Sequence, residues 1–311
     1  MNRLRIIAFL SLLVFTATAF SQQPTNAAIP KGTGILLLAH GGSKTWNAEV
    51  MKIAAAVDKE APVEVAFGMA NRRTLQEGID KLQGRGAKRI VAVPLFISSH
   101  SSVITSTEYL LGQRKDAPAD LAIFAKMDHS PGTSHGMGGS AHDGTDGTAP
   151  VKSPVPLRMT SALDGDSLVA DILLSRAAAI SKDPANEVVI LVAHGPTPDD
   201  DNLKWLANMK ILAEFMKPKS QYARIEYLTV RDDAPDSIRA QAASDLRALV
   251  EGAKRDSKKV LIVPLLLSYG GIEEGIRKRL EGLDYTISQH GLLPDERLVQ
   301  WVKNSVVRNT Q

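Results

Sequence analysis

The 311-residue sequence contains no cysteine, which excludes disulfides, thiolate metal ligands and a cysteine nucleophile. Aromatic residues make up only 5% and are not interleaved with basic runs, which argues against stacking on nucleic-acid bases. The formal net charge is +3, too small for nucleic-acid binding driven by charge. No Walker motif or GxGxxG follows a predicted strand, so no nucleotide site is expected. Because cysteine is absent, any metal must bind through His, Asp, Glu, Met or backbone groups.

The N-terminus has the pattern of an export signal. Residues 1–5 form a short basic segment, and Ile6–Phe20 is an apolar run. Small residues near the end of this run, within Ala17–Ser21, offer candidate cleavage sites. A retained membrane anchor is the alternative, but the apolar run is short for a span. No later segment is apolar and long enough to cross a bilayer. We therefore predict a cleaved signal peptide at residues 1–21 and a periplasmic or secreted protein without a membrane span.

Short aliphatic runs alternate with amphipathic segments along the rest of the chain. Because the runs are continuous rather than alternating, they indicate strands of parallel sheets that are covered on both faces. The predicted strands are Ile35–Ala39, Val63–Phe67, Ile90–Phe96, Leu121–Ala125, Val188–Ala193, Ile225–Val230, Val260–Leu267 and Tyr285–Ser288. The predicted helices are Asn47–Glu60, Thr74–Gln83, Ala207–Met216 and Ser237–Lys254. This order is typical of right-handed βαβ units.

The two halves of the chain follow one plan. An aliphatic run ends in Ala-His-Gly at His40 and again at His194, and Pro94–Gly112 aligns without gaps with Pro264–Gly282. We predict an α/β protein with two similar lobes, each a small parallel sheet flanked by helices, facing each other across a cleft. The lobes span residues 33–182, with an insertion at 127–154, and residues 186–307.

The insertion is rich in Gly, Ser, Thr, Asp and His and has no apolar cluster, which predicts a flexible loop. It carries His129, His135 and His142, with methionines nearby. Imidazole and thioether groups suit copper, nickel or cobalt, so these residues are candidate auxiliary metal ligands. A polar linker that happens to contain histidines is the alternative.

Two further histidines follow predicted strands of the first lobe. His40 follows the first strand and His100 the third, and in a doubly wound order these strands are neighbours whose carboxyl ends share an edge. The two imidazoles could then hold one divalent metal ion and serve as the catalytic residues. The second lobe keeps His194 but has Gly270 in place of His100, so we assign the chemistry to the first lobe. His194 is a possible auxiliary ligand, a substrate contact or a relic of duplication.

Several segments resemble the class II tetrapyrrole chelatases, and most closely the sirohydrochlorin cobaltochelatase group of CbiX type. They are "LLLAHGG" at the start of the first lobe, "VEVAF" at Val63–Phe67 and "GAKRIVAVPLFIS" at Gly86–Ser98, together with the repeated plan. The resemblance implies two chelatase-like lobes and a cleft where a tetrapyrrole meets a divalent metal. Cobalt (Co²⁺) is the first expectation, and Ni²⁺ or Fe²⁺ are the others.

The resemblance places the first metal histidine on His40. The second histidine of the family pattern follows a Gly and directly precedes a Val, a place that Ser102 occupies here, with His100 two residues earlier. Relatives also often carry a glutamate near Phe67–Asn71, where this chain has Met69. If that carboxylate accepts a proton or guides the metal, another must replace it. The candidates are Glu49, Glu64, Glu108 and an Asp of the insertion.

Two other functions remain open at this point. Export, the altered second histidine and the His/Met-rich insertion fit an exported metal-binding or metal-delivery protein on a chelatase fold without catalysis. A hydrolase using Ser98, Ser99 or Ser101 with His100 is the weaker alternative, because no Gly-x-Ser-x-Gly elbow is present.

Overall fold

The structure, a computed structural model, describes residues 28–127 and 147–310. The elements of the first half are β1 (Thr33–Ala39), α1 (Lys44–Asp58), β2 (Val63–Phe67), α2 (Arg72–Gly84), β3 (Arg89–Leu95), α3 (Ser102–Leu110), α4 (Leu121–Phe124), β4 (Leu157–Met159) and α5 (Ser167–Ile180). Those of the second half are β5 (Glu187–Ala193), α6 (Asp199–Met216), β6 (Arg224–Thr229), α7 (Asp236–Arg255), β7 (Lys259–Leu265), α8 (Ile272–Arg279), β8 (Thr286–Ile287) and α9 (Arg297–Thr310).

Two four-stranded sheets with the same strand order form the centre of the molecule. The orders are β2-β1-β3-β4 and β6-β5-β7-β8, and every pairing is parallel. All residues of β1 and of β5 are buried, as expected for aliphatic strands covered on both faces. The predicted α/β fold with two similar lobes is confirmed, and so is the adjacency of the first and third strands.

The last helix of each half packs on the sheet of the other half. Helix α5 contacts α6 and β7, whereas α9 contacts α1 and β3. The Arg176 guanidinium of α5 donates to the Gly291 and Pro294 carbonyls before α9, both at 2.9 Å. Arg297 of α9 donates in return to the Asp171 carbonyl of α5 at 2.8 Å. Because each sheet is covered by a helix from the other half, the two lobes share one hydrophobic core.

The predicted strand at Leu121–Ala125 is wrong, because this segment forms the short helix α4. Leu121 and Phe124 are buried while Ile123 is 55% exposed, which is the three-residue spacing of a helix. A short apolar run does not distinguish strand from helix by periodicity. The fourth strand of the first sheet is instead β4, only three residues long and paired with β3.

The described end of the insertion lies against the first lobe. The Arg72 side chain donates to the Ala149 carbonyl at 2.9 Å, and Gln76 exchanges hydrogen bonds with the Lys152 backbone. The Val151 N–H donates to the Leu110 carbonyl at 2.8 Å. Residues 149–152 therefore lie against α2 and the end of α3.

None of the helices in residues 28–127 and 147–310 is long and apolar enough to cross a membrane. The predicted signal peptide at residues 1–21 lies outside the described residues.

Candidate functional site

The two histidines assigned to the first lobe lie at the carboxyl edge of its sheet. His40 directly follows β1, and His100 lies in the loop that joins β3 to α3. Strands β1 and β3 pair in register, with Ala39 opposite Leu95 at their ends. Both side chains are half-buried. The topology therefore brings the predicted pair to one sheet edge, the usual ligand position in open α/β sheets.

His40 is held in a defined orientation. Its Nδ1 lies 2.6 Å from the Gly41 carbonyl oxygen, and its ring stacks on Trp46 with 5.5 Å between centroids and 15° between planes. A carbonyl can only accept, so the contact assigns a proton to Nδ1, and in the neutral ring Nε2 then carries the lone pair. A backbone partner that fixes the tautomer in this way is typical of metal-binding histidines.

Glycines make this turn possible. Gly41 has φ of +78°, a region that favours glycine. A side chain at Gly42 would overlap the Trp46 ring. Trp46 is a site residue that the sequence analysis missed, and the Gly-Gly pair that lets its ring approach His40 is the signal that could have revealed it.

The serines around His100 have structural partners. The Ser98 hydroxyl accepts from the His100 N–H, the Ser99 hydroxyl donates to Asp164, and Ser101 caps α3. Among the described residues, none of these hydroxyls bonds to the His100 ring. This arrangement does not support a serine hydrolase, which requires a hydroxyl hydrogen-bonded to its base.

His194 occupies the matching position of the second lobe, in different surroundings. Its Nδ1 lies 2.8 Å from the Gly195 carbonyl, as at His40, but its Nε2 lies 3.4 Å from the Asp233 carboxylate. In the first turn of α8, the Glu273 carboxylate accepts from the Gly270 and Gly271 N–H groups of the loop that follows β7, and its other oxygen is buried without a partner in the described structure. The second lobe therefore places one carboxylate, that of Glu273, beside Gly270, the position that His100 occupies in the first lobe.

Across residues 28–127 and 147–310, no three His, Asp or Glu side chains are grouped closely enough to enclose a metal ion. Glu64 lies on β2 near its beginning and pairs with Arg85 at 3.1 Å, while Glu49 pairs with Lys52 on α1. Within the described residues, the first-lobe edge thus carries His40 and His100 without a cluster of three such side chains.

The first half of the chain matches the CbiX family over residues 34–180. A sirohydrochlorin cobaltochelatase of Methanosarcina acetivorans is 31% identical over 147 residues, which cover 46% of this chain and 92% of that protein. The chain belongs to the CbiX family. A second sirohydrochlorin cobaltochelatase, from Methanosarcina barkeri, is 29% identical over the same share of each chain. These relatives are about half as long as this two-lobed CbiX-family protein.

Solved structures with the same fold cover both lobes. SirB from Bacillus subtilis with Fe³⁺ superposes with a TM-score of 0.60 at 17% identity, over 89% of this chain and 95% of SirB. A sirohydrochlorin chelatase SirB from the subspecies spizizenii, in complex with cobalt, gives 0.55 at 14% identity, over 89% and 94%. At these identities the likeness establishes the fold alone.

Two residues that depart from the pattern implied by the resemblance follow β2 and β3 of the first lobe. Met69 follows β2, and its side chain packs against the apolar cluster under α2. Because the residue is a methionine, this position supplies no carboxylate. Ser102 begins α3 at the place expected for the second histidine, and His100 lies just before the helix. The auxiliary candidates His129, His135 and His142 lie outside the described residues.

A cavity of about 620 Å³ lies between α7 and α8 of the second lobe. Its charged lining residues are Asp232, Asp236, Arg239, Lys278 and Arg279. Arg279 pairs with Asp232 and Arg239 with Asp236, so most of this charge is already neutralised. None of the four described histidines lines the cavity, so it is separate from the candidate metal site.

Proposed function

We propose that this protein is a metal chelatase, a lyase that inserts a divalent ion into a sirohydrochlorin-type tetrapyrrole. Cobalt is the first candidate ion, and nickel and iron are the others. The observation that carries the proposal is the match of residues 34–180 to the CbiX family, and the position of His40 at the carboxyl edge of that half's sheet supports it. The names of the cobaltochelatase relatives support the choice of reaction and of metal.

The chemistry needs an ion that is held but not enclosed. Metal insertion requires that the pyrrole N–H protons leave while the ion enters the ring. Two histidines at the edge, His40 and His100, would bind the ion through imidazole nitrogens and leave coordination positions open for the tetrapyrrole. As the ion leaves, a freed imidazole can accept a released proton. A closed cage of four protein ligands would retain the ion instead.

The same chain also supports a second candidate, an exported protein that binds or delivers metal without catalysis. The observation that favours it is Met69, an apolar residue where the resemblance calls for a carboxylate. Export, predicted from residues 1–21, is part of both proposals.

The experiment uses the protein from Gln22 onward, mixed with sirohydrochlorin and Co²⁺, then Ni²⁺ and Fe²⁺. The visible spectrum reports metal insertion, and the same mixture without protein gives the spontaneous rate. We expect insertion above that rate and a loss of about 100-fold or more in His40→Ala.

His194→Ala is the matched control, because it removes the histidine of the same Ala-His-Gly turn in the second lobe. It should retain most of the activity. No acceleration by the wild type, together with tight Co²⁺ binding, would reject the enzyme and support the delivery protein. Deletion of residues 128–146 then tests whether the insertion supplies metal at low concentration.

A further inference from the structure

The loop that carries His100, here the His100 loop (residues 96–101), is bonded at several points. The buried Ser98 hydroxyl accepts from the His100 N–H at 3.1 Å. The Asp164 carboxylate accepts from the Ser99 N–H at 2.8 Å and from the Ser99 hydroxyl at 2.6 Å. The Asp164 N–H donates to the Ile97 carbonyl at 2.9 Å. Asp164 has φ of +44°, an unusual conformation for this residue that these bonds maintain.

Two side chains of α6, in the second half of the chain, complete this network. The Trp205 indole N–H donates to the His100 carbonyl at 2.7 Å, and the Asn208 amide donates to Asp164 at 3.0 Å. Residues three apart share one face of a helix, so Trp205 reaches the loop itself and Asn208 reaches the Asp164 carboxylate that is bonded to it. Trp205 is only 9% exposed and belongs to the core that the two lobes share. A hydrogen bond shielded from water in this way is strong, and a bond to water does not easily replace it.

The matching loop of the second lobe, residues 266–271, is held differently. It has Gly270 in place of His100, and its N–H groups bond to Glu273 of its own lobe. In the part of the chain that the structure describes, no side chain of α1 donates a hydrogen bond to this loop. Among the described residues, hydrogen bonds from the other lobe therefore hold the loop that contains His100, but not the matching loop that contains Gly270.

We propose that Trp205 and Asn208 are positioning residues for the metal site of the first lobe. Trp205 bonds to the His100 carbonyl, and Asn208 bonds to the Asp164 carboxylate that holds Ser99, so neither bond occupies the His100 imidazole. The inference rests on the proposed function, since it takes His100 as a metal ligand. A site with two protein ligands depends strongly on the direction of each, and outer partners of metal ligands typically change affinity 10–100-fold. On this proposal, α6 of the second lobe positions the metal ligand His100 of the first lobe.

Trp205→Phe is the main test, because it removes the indole N–H and keeps most of the packing. Trp301→Phe is the matched control: Trp301 is also buried in the shared core, and its indole has no bond to the His100 loop in the described structure. The first measurement is Co²⁺ affinity without tetrapyrrole, read from the visible spectrum of the bound ion. The second is amide hydrogen exchange at Ser99 and His100, measured by NMR.

We expect Trp205→Phe to weaken Co²⁺ binding about tenfold and to speed exchange at both amides. Asn208→Ala should act in the same direction, and Trp301→Phe should leave both properties near wild type. Equal behaviour of Trp205→Phe and Trp301→Phe in both measurements would overturn the inference.

Failure of the proposed function has a different signature. In that case His40→Ala and His100→Ala would bind Co²⁺ as the wild type does, and no insertion would occur. Unchanged binding in His100→Ala would also reject any role of the network in metal binding, whereas the exchange data would still show whether α6 holds the loop.

Discussion

The two Ala-His-Gly turns predict different tolerance of the same substitution. Gly41 and Gly195 follow the matching histidines and have nearly equal φ values of +78° and +76°. A methyl group at Gly41 would meet the Phe67 ring at 3.4 Å, an ordinary contact. At Gly195 it would lie 2.5 Å from the Thr229 Cβ. Backbone strain is therefore common to both sites, whereas steric overlap affects only the second.

The expected magnitudes follow from these contacts. A residue with a side chain pays about 1–2 kcal/mol for the left-handed conformation, which is the expected cost of Gly41→Ala. Overpacking against Thr229 adds about 1–3 kcal/mol, so Gly195→Ala should cost about 2–5 kcal/mol. Thr229 cannot easily move aside, because it is 5% exposed and its hydroxyl donates to Asn202 at 2.6 Å.

The assay is urea unfolding of the wild type and both variants, followed by circular dichroism, with thermal midpoints as a second measure. Gly195→Ala should lose clearly more stability than Gly41→Ala at unchanged m-value. Equal losses, or a larger loss at Gly41, would refute the steric reasoning and show that the Thr229 contact relaxes without cost.

Three other substitutions give predictions of the same kind. Trp46→Leu removes the ring stacked on His40, so Co²⁺ affinity should fall severalfold in a spectroscopic titration while the fold is retained; unchanged affinity would show that the stacking does not orient the imidazole. Burial raises the pKa of Glu187, but bonds from the Ser181 hydroxyl and two backbone N–H groups outweigh it and hold the pKa below its usual value. The charged form therefore stabilises the fold at neutral pH, and this contribution is lost as the pH falls through the lowered pKa. Glu187→Gln should be less stable by about 1–3 kcal/mol at pH 7, and the difference should shrink below about pH 4 in unfolding experiments; a pH-independent difference would contradict this assignment. Trp301→Ala should cost about 3–5 kcal/mol and speed hydrogen exchange in β3 of the other lobe, because α9 packs there; exchange changes confined to the second sheet would contradict the shared core.

The sequence predicts strands correctly where burial of both faces requires a continuous aliphatic run. Seven of the eight predicted strands form. The clearest of them, β1 and β5, are seven-residue runs that are buried throughout, as a parallel sheet covered on both faces requires. The exception, Leu121–Ala125, is short enough for helix and strand to share one pattern, and β4 is too short to show any. The position of His40 and His100 at one sheet edge followed from strand order alone.

The sequence by itself determined the α/β plan, the two similar halves and the histidines at the ends of their strands, since these depend on local patterns of burial and turning. The tertiary structure alone decided that α5 and α9 cover each other's sheets, that Trp46 stacks on His40, and that Trp205 and Asn208 hold the His100 loop. The physical reason is distance along the chain. A hydrogen bond between Trp205 and His100 joins residues more than a hundred positions apart, and no local pattern records which helix face will meet which loop.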